Sequence, residues 1–168
     1  MITYHPFYDV DHTIFRLLSV FLTHDGIELE RAQLYDFFLV FPHALADVTL
    51  PHTRSQRVRK HLKLIPKPYQ RLPDSRVLFR RGAPLQHQAA RLLIAAGALH
   101  PGEERQPLLY AKKDVINARL SEQLVEFSNR KHVEFLILDE IKDLPVHGPK
   151  GLKARSNLLE YSYDASAR

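Results

Sequence analysis

The densest group of side chains able to do chemistry lies near the start of the sequence, at His5, Asp9, Asp11 and His12. Imidazole and carboxylate groups can bind a transition metal or exchange protons with a substrate. The spacing fits neither HExxH nor a cluster of two histidines and a carboxylate, and the chain has no cysteine to complete a ligand set. The same residues also suit a helix start, where an aspartate caps the first turn and the imidazoles face solvent. We favour this second interpretation and predict a protein that is not an enzyme and has no metal or cofactor.

A second candidate site is the glycine-rich and basic stretch from Gly148 to Arg155. It lacks the GxxxxGK[ST] spacing of a phosphate-binding loop, and no strand of clear type precedes it. A turn followed by a basic helix start is the simpler interpretation. The sequence also has no GxSxG nucleophile motif and no dinucleotide fingerprint. A small metal-dependent enzyme is therefore the weakest of three functional hypotheses.

The basic charge is concentrated in one segment, from His52 to Gly82. This segment holds ten basic residues and one acid, a net charge of +9, whereas the other 137 residues hold fourteen basic and eighteen acidic groups, a net charge of −4. Such a segment can contact DNA phosphates or an acidic protein surface, and charge alone does not separate the two. It can also be a solvated loop. The candidate binding residues are Arg54, Arg57, Arg59, Lys60, Lys63, Lys67, Arg80 and Arg81.

Apolar spacing predicts the elements that position these residues. A first helix begins at an Asp9 or Asp11 cap and ends before Gly26; Ile27-Glu28-Leu29 then has the length of a short strand. A second helix begins at about Glu30 and ends near Pro42. Each helix has an apolar stripe, formed in the first by Ile14, Leu17, Leu18 and Phe21 and in the second by Leu34, Phe37, Phe38 and Phe41.

A third helix is predicted from Pro84, at its first turn, to a stop at Gly97. Its apolar stripe is Leu85, Ala89, Leu92, Leu93 and Ala96, and its polar face is Gln86, His87, Gln88 and Arg91. Ala98–His100 and Gln106–Ala111 follow as the strands of a hairpin. A helix followed at once by a hairpin is the local plan of a winged helix.

The basic segment interrupts this plan. Ser55–Leu64 has a helical apolar edge, three prolines from Pro66 to Pro73 favour an extended path, and Val77-Leu78-Phe79 reads as a strand. Further helices are predicted after an Asp114 cap and over Leu152–Tyr163. The stretch Val133–Leu138 is ambiguous between strand and helix by its period, and its continuation to Lys142 favours a helix. The predicted fold class is mainly α with a small β hairpin (α+β). We divide it into a winged-helix-like domain, 1–128, with a basic insertion at 52–82, and a C-terminal helical extension, 129–168, packed on it.

Composition agrees with an ordinary globular chain. Hydrophobic residues make up 45% of the sequence, cysteine is absent, and no apolar run approaches the length of a membrane span. The beginning of the sequence has no charged-then-apolar order of a signal peptide. We therefore expect a cytoplasmic protein that has no membrane partner.

Two blocks of sequence carry a resemblance to a known family. The opening Tyr4–Leu18 and the closing Gly151–Tyr161 resemble the middle components of bacterial ABC-three-component defence systems, a group that includes Lamassu-type systems. The resemblance implies a subunit without chemistry of its own, placed between an SMC-like ABC ATPase and an effector, often a nuclease, with DNA reached through the complex. The alternative is a free-standing winged-helix regulator that presents Gln86, His87, Gln88 and Arg91 to the DNA major groove.

Overall fold

The computed structural model describes residues 5–69, 72–105 and 107–158. Most of them are helical, and the strands form one small antiparallel sheet, which confirms the α+β prediction. None of the described helices has the length and apolar character needed to cross a bilayer. The helices are α1 (Val10–Leu22), α2 (Leu29–Val40), α3 (His52–Leu62), α4 (Ser75–Ala95), α5 (Ala118–Arg130), α6 (His132–Asp139) and α7 (Leu152–Ser156). The strands are β1 (Ile27–Glu28), β2 (Leu99–Pro101) and β3 (Leu108–Ala111), and short 3-10 helices span Pro6–Tyr8, Pro42–Asp47 and Lys113–Val115.

The first two helices are where the apolar spacing predicts them. Asp9 caps α1, since its carboxylate accepts a hydrogen bond from the His12 backbone N–H at 3.0 Å. Gly26, with φ near +80°, makes the turn into β1. Helix α2 is central to the fold, because every residue from Arg31 to Leu39 is buried.

Helix α4 differs from the prediction. Val77-Leu78-Phe79 is not a strand and Pro84 is not a helix start; both lie inside one continuous helix that begins after the Asp74 cap. Leu78 and Phe79 are buried on the same side as Ala89 and Leu93, so helical burial extends one apolar face through the whole segment. Pro84 is tolerated because it lies on the opposite, exposed side of the helix. Proline has no N–H to donate to the Arg80 carbonyl, and water can donate to that carbonyl instead.

An aromatic ring from the start of the chain fixes the middle of α4. Phe7 is buried, and its ring centroid lies 5.1 Å from that of Phe41 and 5.7 Å from that of Phe37. A Cβ atom added at Gly82 of α4 would overlap the Phe7 ring. The aromatic lead-in is therefore packed into α4 at a position that has no room for a side chain.

The sheet has the strand order β1-β3-β2, with both pairings antiparallel. The hairpin of β2 and β3 was predicted, as was β1, and both predictions are confirmed. Strand β3 begins at Leu108; the predicted beginning of this strand, Gln106, lies outside the described residues. Gly97, with φ near +73°, ends α4 and leads into β2. The assignment of this arrangement to the winged-helix family stays a prediction.

The C-terminal helices largely follow the sequence. Helix α5 is capped by Asn117, whose side-chain oxygen accepts from the Leu120 N–H at 2.8 Å, and not by Asp114, which lies in the preceding 3-10 helix. The stretch 133–142, ambiguous in period, forms α6 and following turns, as favoured. Helix α7 is shorter than predicted because Asn157 adopts a left-handed conformation, with φ near 53°, directly after Ser156. Residues 159–163 of that prediction lie outside the described residues.

Arg31 attaches this region to the body of the protein. From the buried side of α2, its guanidinium donates to the carbonyl of Lys142 at 3.0 Å and to that of Leu144 at 2.8 Å. Burial alone would raise the pKa of its neighbour Glu28, but the Arg31 guanidinium 2.9 Å away lowers the pKa of that carboxyl below its usual value. The connection after α6 is therefore tied to α2 by charge-assisted hydrogen bonds.

Candidate functional site

A buried polar network joins α1, α2 and α4. Arg16 of α1 contacts Asp36 of α2 through Nε at 2.6 Å, and Gln86 of α4 donates to the same carboxylate at 2.9 Å. Gln86 also donates to the Gln33 carbonyl at 3.0 Å. The prediction that Gln86 lies on an exposed polar face of its helix is wrong, because Gln86 is almost completely buried. Gln86 therefore cannot reach a DNA groove and instead fixes the rotation of α4 about its axis.

The carboxyl group at the centre of this network is fully buried. Burial raises the pKa of Asp36, and the Arg16 guanidinium and the Gln86 amide oppose that rise. Both carboxylate oxygens have donors, since Arg16 Nη2 also lies 3.3 Å from Oδ2. This pairing is structural, because its groups face the interior of the helix packing.

The arginines of α3 are used inside the molecule. Helix α3 packs against α6, and the Arg54 guanidinium donates to the Glu140 carbonyl at 2.6 Å and lies 3.5 Å from the Asp143 carboxylate. Arg57 Nε lies 2.7 Å from the Glu140 carboxylate. Two of the eight predicted binding residues are therefore engaged by acids that follow them by more than 80 positions in the sequence.

The other six predicted residues lie on the surface in two places. Arg59, Lys60, Lys63 and Lys67 are exposed on the end of α3 and the connection after it. Arg80 and Arg81 are exposed on α4. The structure thus divides the predicted set among the α3–α6 contact, the end of α3, and α4.

The continuity of α4 reveals residues that the sequence analysis did not group with the basic segment. The outer face of α4, as we call it, is the exposed side of this helix. It consists of Arg76, Val77, Arg80, Arg81, Pro84, His87, Gln88, Arg91, Leu92, Ile94 and Ala95. The exposed residues 77, 84, 88, 91 and 95 recur with the helical period on both sides of Pro84. A helix that starts at Pro84 would not include residue 77, so the predicted start hid the continuity of this face. Leu92 belongs to this face and is 45% exposed, although the predicted stripe placed it in the core.

The hairpin beside the C-terminal end of α4 is acidic at its tip. Glu103 and Glu104 are both exposed there. The Tyr110 hydroxyl donates to Glu104 at 2.5 Å and lowers the pKa of that carboxyl, so Glu104 is ionised at neutral pH. Together with the exposed Arg105, these two glutamates give the hairpin tip a net charge of −1.

The histidines and aspartates near the start of the chain do not form one site: some make structural contacts, and others line a cavity. His5 accepts from the Phe7 N–H at 3.2 Å and stacks on Phe41, and burial together with Arg16 lowers the pKa of His5. Asp11 and His12 line a cavity of about 620 Å³ against α5. Among the described residues, no group of three or more histidines and carboxylates is arranged to hold a metal ion.

Comparison with known families supplies the context for this surface. A family model described as ABC-three component (ABC-3C) system Middle Component 5 matches residues 2–164. The chain belongs to this family. Searches among curated proteins and among solved structures found no match. A middle component of a multi-component system implies partner proteins, which is consistent with an accessory subunit of a defence system.

Proposed function

We propose that this middle component is a non-catalytic, cytoplasmic accessory subunit that connects an SMC-like ABC ATPase to an effector nuclease. The family match over residues 2–164 is the observation that carries the proposal. The SMC-like ATPase and the nuclease come from the resemblance to Lamassu-type systems.

The distribution of polar groups supports a binding role. Arg16, Asp36 and Gln86 form a hydrogen-bonded polar network inside the helix packing, where they stabilise the fold. Exposed basic side chains are instead grouped on the end of α3 and on the outer face of α4. A surface of one charge sign attracts an oppositely charged partner and steers its approach.

The proposal is tested by co-expressing the chain, carrying an affinity tag, with the ATPase and effector proteins of its own system. We expect the ATPase and the effector to co-purify with the tagged chain and the assembled complex, but not the chain alone, to degrade DNA. Cells that contain all three proteins should resist phage or plasmid, and cells without the middle component should not. Nuclease activity of the isolated chain, or full protection without it, would disprove the proposal.

A second candidate is a free-standing DNA-binding regulator with a winged helix. The hairpin of β2 and β3 after α4, with β1 added beside β3, favours it together with the arginines of the outer face. The buried Gln86 and the acidic hairpin tip oppose it. A DNase footprint of the isolated chain on its own promoter would support this candidate over the first.

A further inference from the structure

The outer face of α4 combines basic and apolar side chains over a long distance. At about 1.5 Å per residue, the 21 residues of α4 span about 32 Å. Val77 is 38% exposed near one end of the helix, and Leu92 and Ile94 are exposed to a similar degree near the other. Arg80, Arg81 and Arg91 lie between or beside them. A surface of this composition can bury aliphatic carbon and pair charge at the same time.

The charge on this helix has one sign. Its sequence contains Arg76, Arg80, Arg81 and Arg91 and no aspartate or glutamate. The capping residue Asp74 lies 3.7 Å from Arg76, at the beginning of the helix. Upstream, Leu64, Tyr69 and Leu72 add exposed apolar side chains to the basic connection that leads into α4.

These features favour an acidic protein segment over duplex DNA. Phosphate oxygens pair with arginine but offer nothing apolar to Leu92 or Val77. A duplex lying along the whole helix would also bring its phosphates towards the C-terminal end of the helix dipole. A single helix from a partner can bind the arginines over a shorter length of α4.

We propose that the outer face of α4 is the docking site for an acidic amphipathic helix of a partner protein in the same system. This inference rests on the proposed function, since it specifies how the accessory subunit binds its partner. The partner helix places aliphatic side chains on Val77 and Leu92 and carboxylates on Arg81 and Arg91. A helix that binds in this way contacts the surface through residues spaced three and four apart in its own sequence.

Two double variants separate the apolar from the ionic contribution. Val77→Gln with Leu92→Gln removes aliphatic surface and keeps every charge, whereas Arg81→Gln with Arg91→Gln removes charge and keeps the aliphatic surface. The matched control is Val125→Gln with Leu136→Gln, which removes the same two residue types from α5 and α6, where they are 58% and 39% exposed.

Three probes are titrated into the full chain and its variants by fluorescence anisotropy. They are a peptide of about 20 residues built from glutamate and leucine at helical spacing, the same peptide with glutamine in place of leucine, and a mixed-sequence DNA duplex of about 24 base pairs. We expect the leucine peptide to bind most tightly. The Val77/Leu92 variant should weaken it at least about tenfold and change DNA binding less than about twofold, and the arginine variant should weaken both. The control should behave as the parent.

The proposal is overturned if the duplex binds more tightly than the leucine peptide, or if the leucine and glutamine peptides bind equally. It is also overturned if the Val77/Leu92 variant still co-purifies the ATPase and effector as well as the control does. Failure of the parent chain itself to co-purify either protein is a different result and contradicts the proposed function.

Discussion

Arginines that face inward and arginines that face outward differ in what they contact. Arg16 is buried against Asp36 in the contact between α1 and α2. Arg81 and Arg91 are exposed on a helix that contains no acid. Inward arginines help to determine how the helices pack, and outward arginines leave the packing unchanged. A high density of basic residues along a sequence therefore does not identify a binding surface. The basic residues that pair with acids inside the same fold must first be excluded.

The largest expected effect comes from breaking the inward pairing. Asp36→Ala should lower the free energy of unfolding by about 3–5 kcal/mol, because it leaves the Arg16 guanidinium buried without its counter-ion. Urea denaturation followed by circular dichroism measures the change. The companion variant Asp36→Asn keeps the side-chain volume and removes only the charge, so comparing it with Asp36→Ala separates the effect of lost charge from that of lost packing. A loss below about 1 kcal/mol for the alanine variant would mean that Arg16 reaches water in the variant.

The next effect compares two adjacent leucines of α4. Leu93→Ala should cost about 2–4 kcal/mol, since Leu93 is buried between helices, whereas Leu92→Ala should cost less than about 1 kcal/mol. The same denaturation experiment applies to both. If Leu92→Ala lowered the free energy of unfolding as much as Leu93→Ala does, the outer face of α4 would be covered in the free protein.

A smaller effect is expected where α3 meets α6. Arg57→Glu places a second carboxylate beside Glu140 and should cost about 1 kcal/mol, since half of the Arg57 side chain is exposed to screening solvent. Exchanging the charges, with Arg57→Glu and Glu140→Arg together, should recover most of that loss. A double-mutant cycle by thermal denaturation gives the coupling, and a coupling of zero would place Arg57 among the outward arginines.

The smallest expected effect on stability is on the outer face itself. Arg81→Gln with Arg91→Gln should change the free energy of unfolding by no more than about 0.5 kcal/mol. Binding to the acidic leucine peptide should nevertheless weaken and become less dependent on salt, because fewer charges are paired on binding. Measuring the peptide affinity at two ionic strengths tests this. A stability loss as large as that of Leu93→Ala would contradict the outward assignment.

Local patterns predicted much of the fold. Apolar spacing and the Asp9 cap located α1, spacing and Pro42 located α2, and Gly97 with the turn residues after it located the hairpin. These signals lie within one element and need no knowledge of its neighbours. The family resemblance was likewise carried by short blocks and is confirmed over residues 2–164.

Features that depend on distant partners could not be predicted in this way. Pro84 usually marks a helix start, and the buried positions of Leu78 and Phe79 against the rest of the fold override that preference. Gln86 looks polar and exposed until Asp36, fifty positions earlier, is brought beside it. For the same reason Arg54 and Arg57 could not be separated from the other candidates, because Glu140 and Asp143 lie in another part of the sequence.

The contact between Gly82 and Phe7 has a consequence for how this sequence can vary. The ring occupies the volume where a Cβ at position 82 would lie, so the two positions share a single space. A relative that carries alanine at 82 must carry a smaller residue than phenylalanine at 7, and a relative that keeps the ring must keep the glycine. The two positions should therefore covary across the family, although 74 residues separate them, and this pair links the beginning of the chain to the helix that bears the arginines.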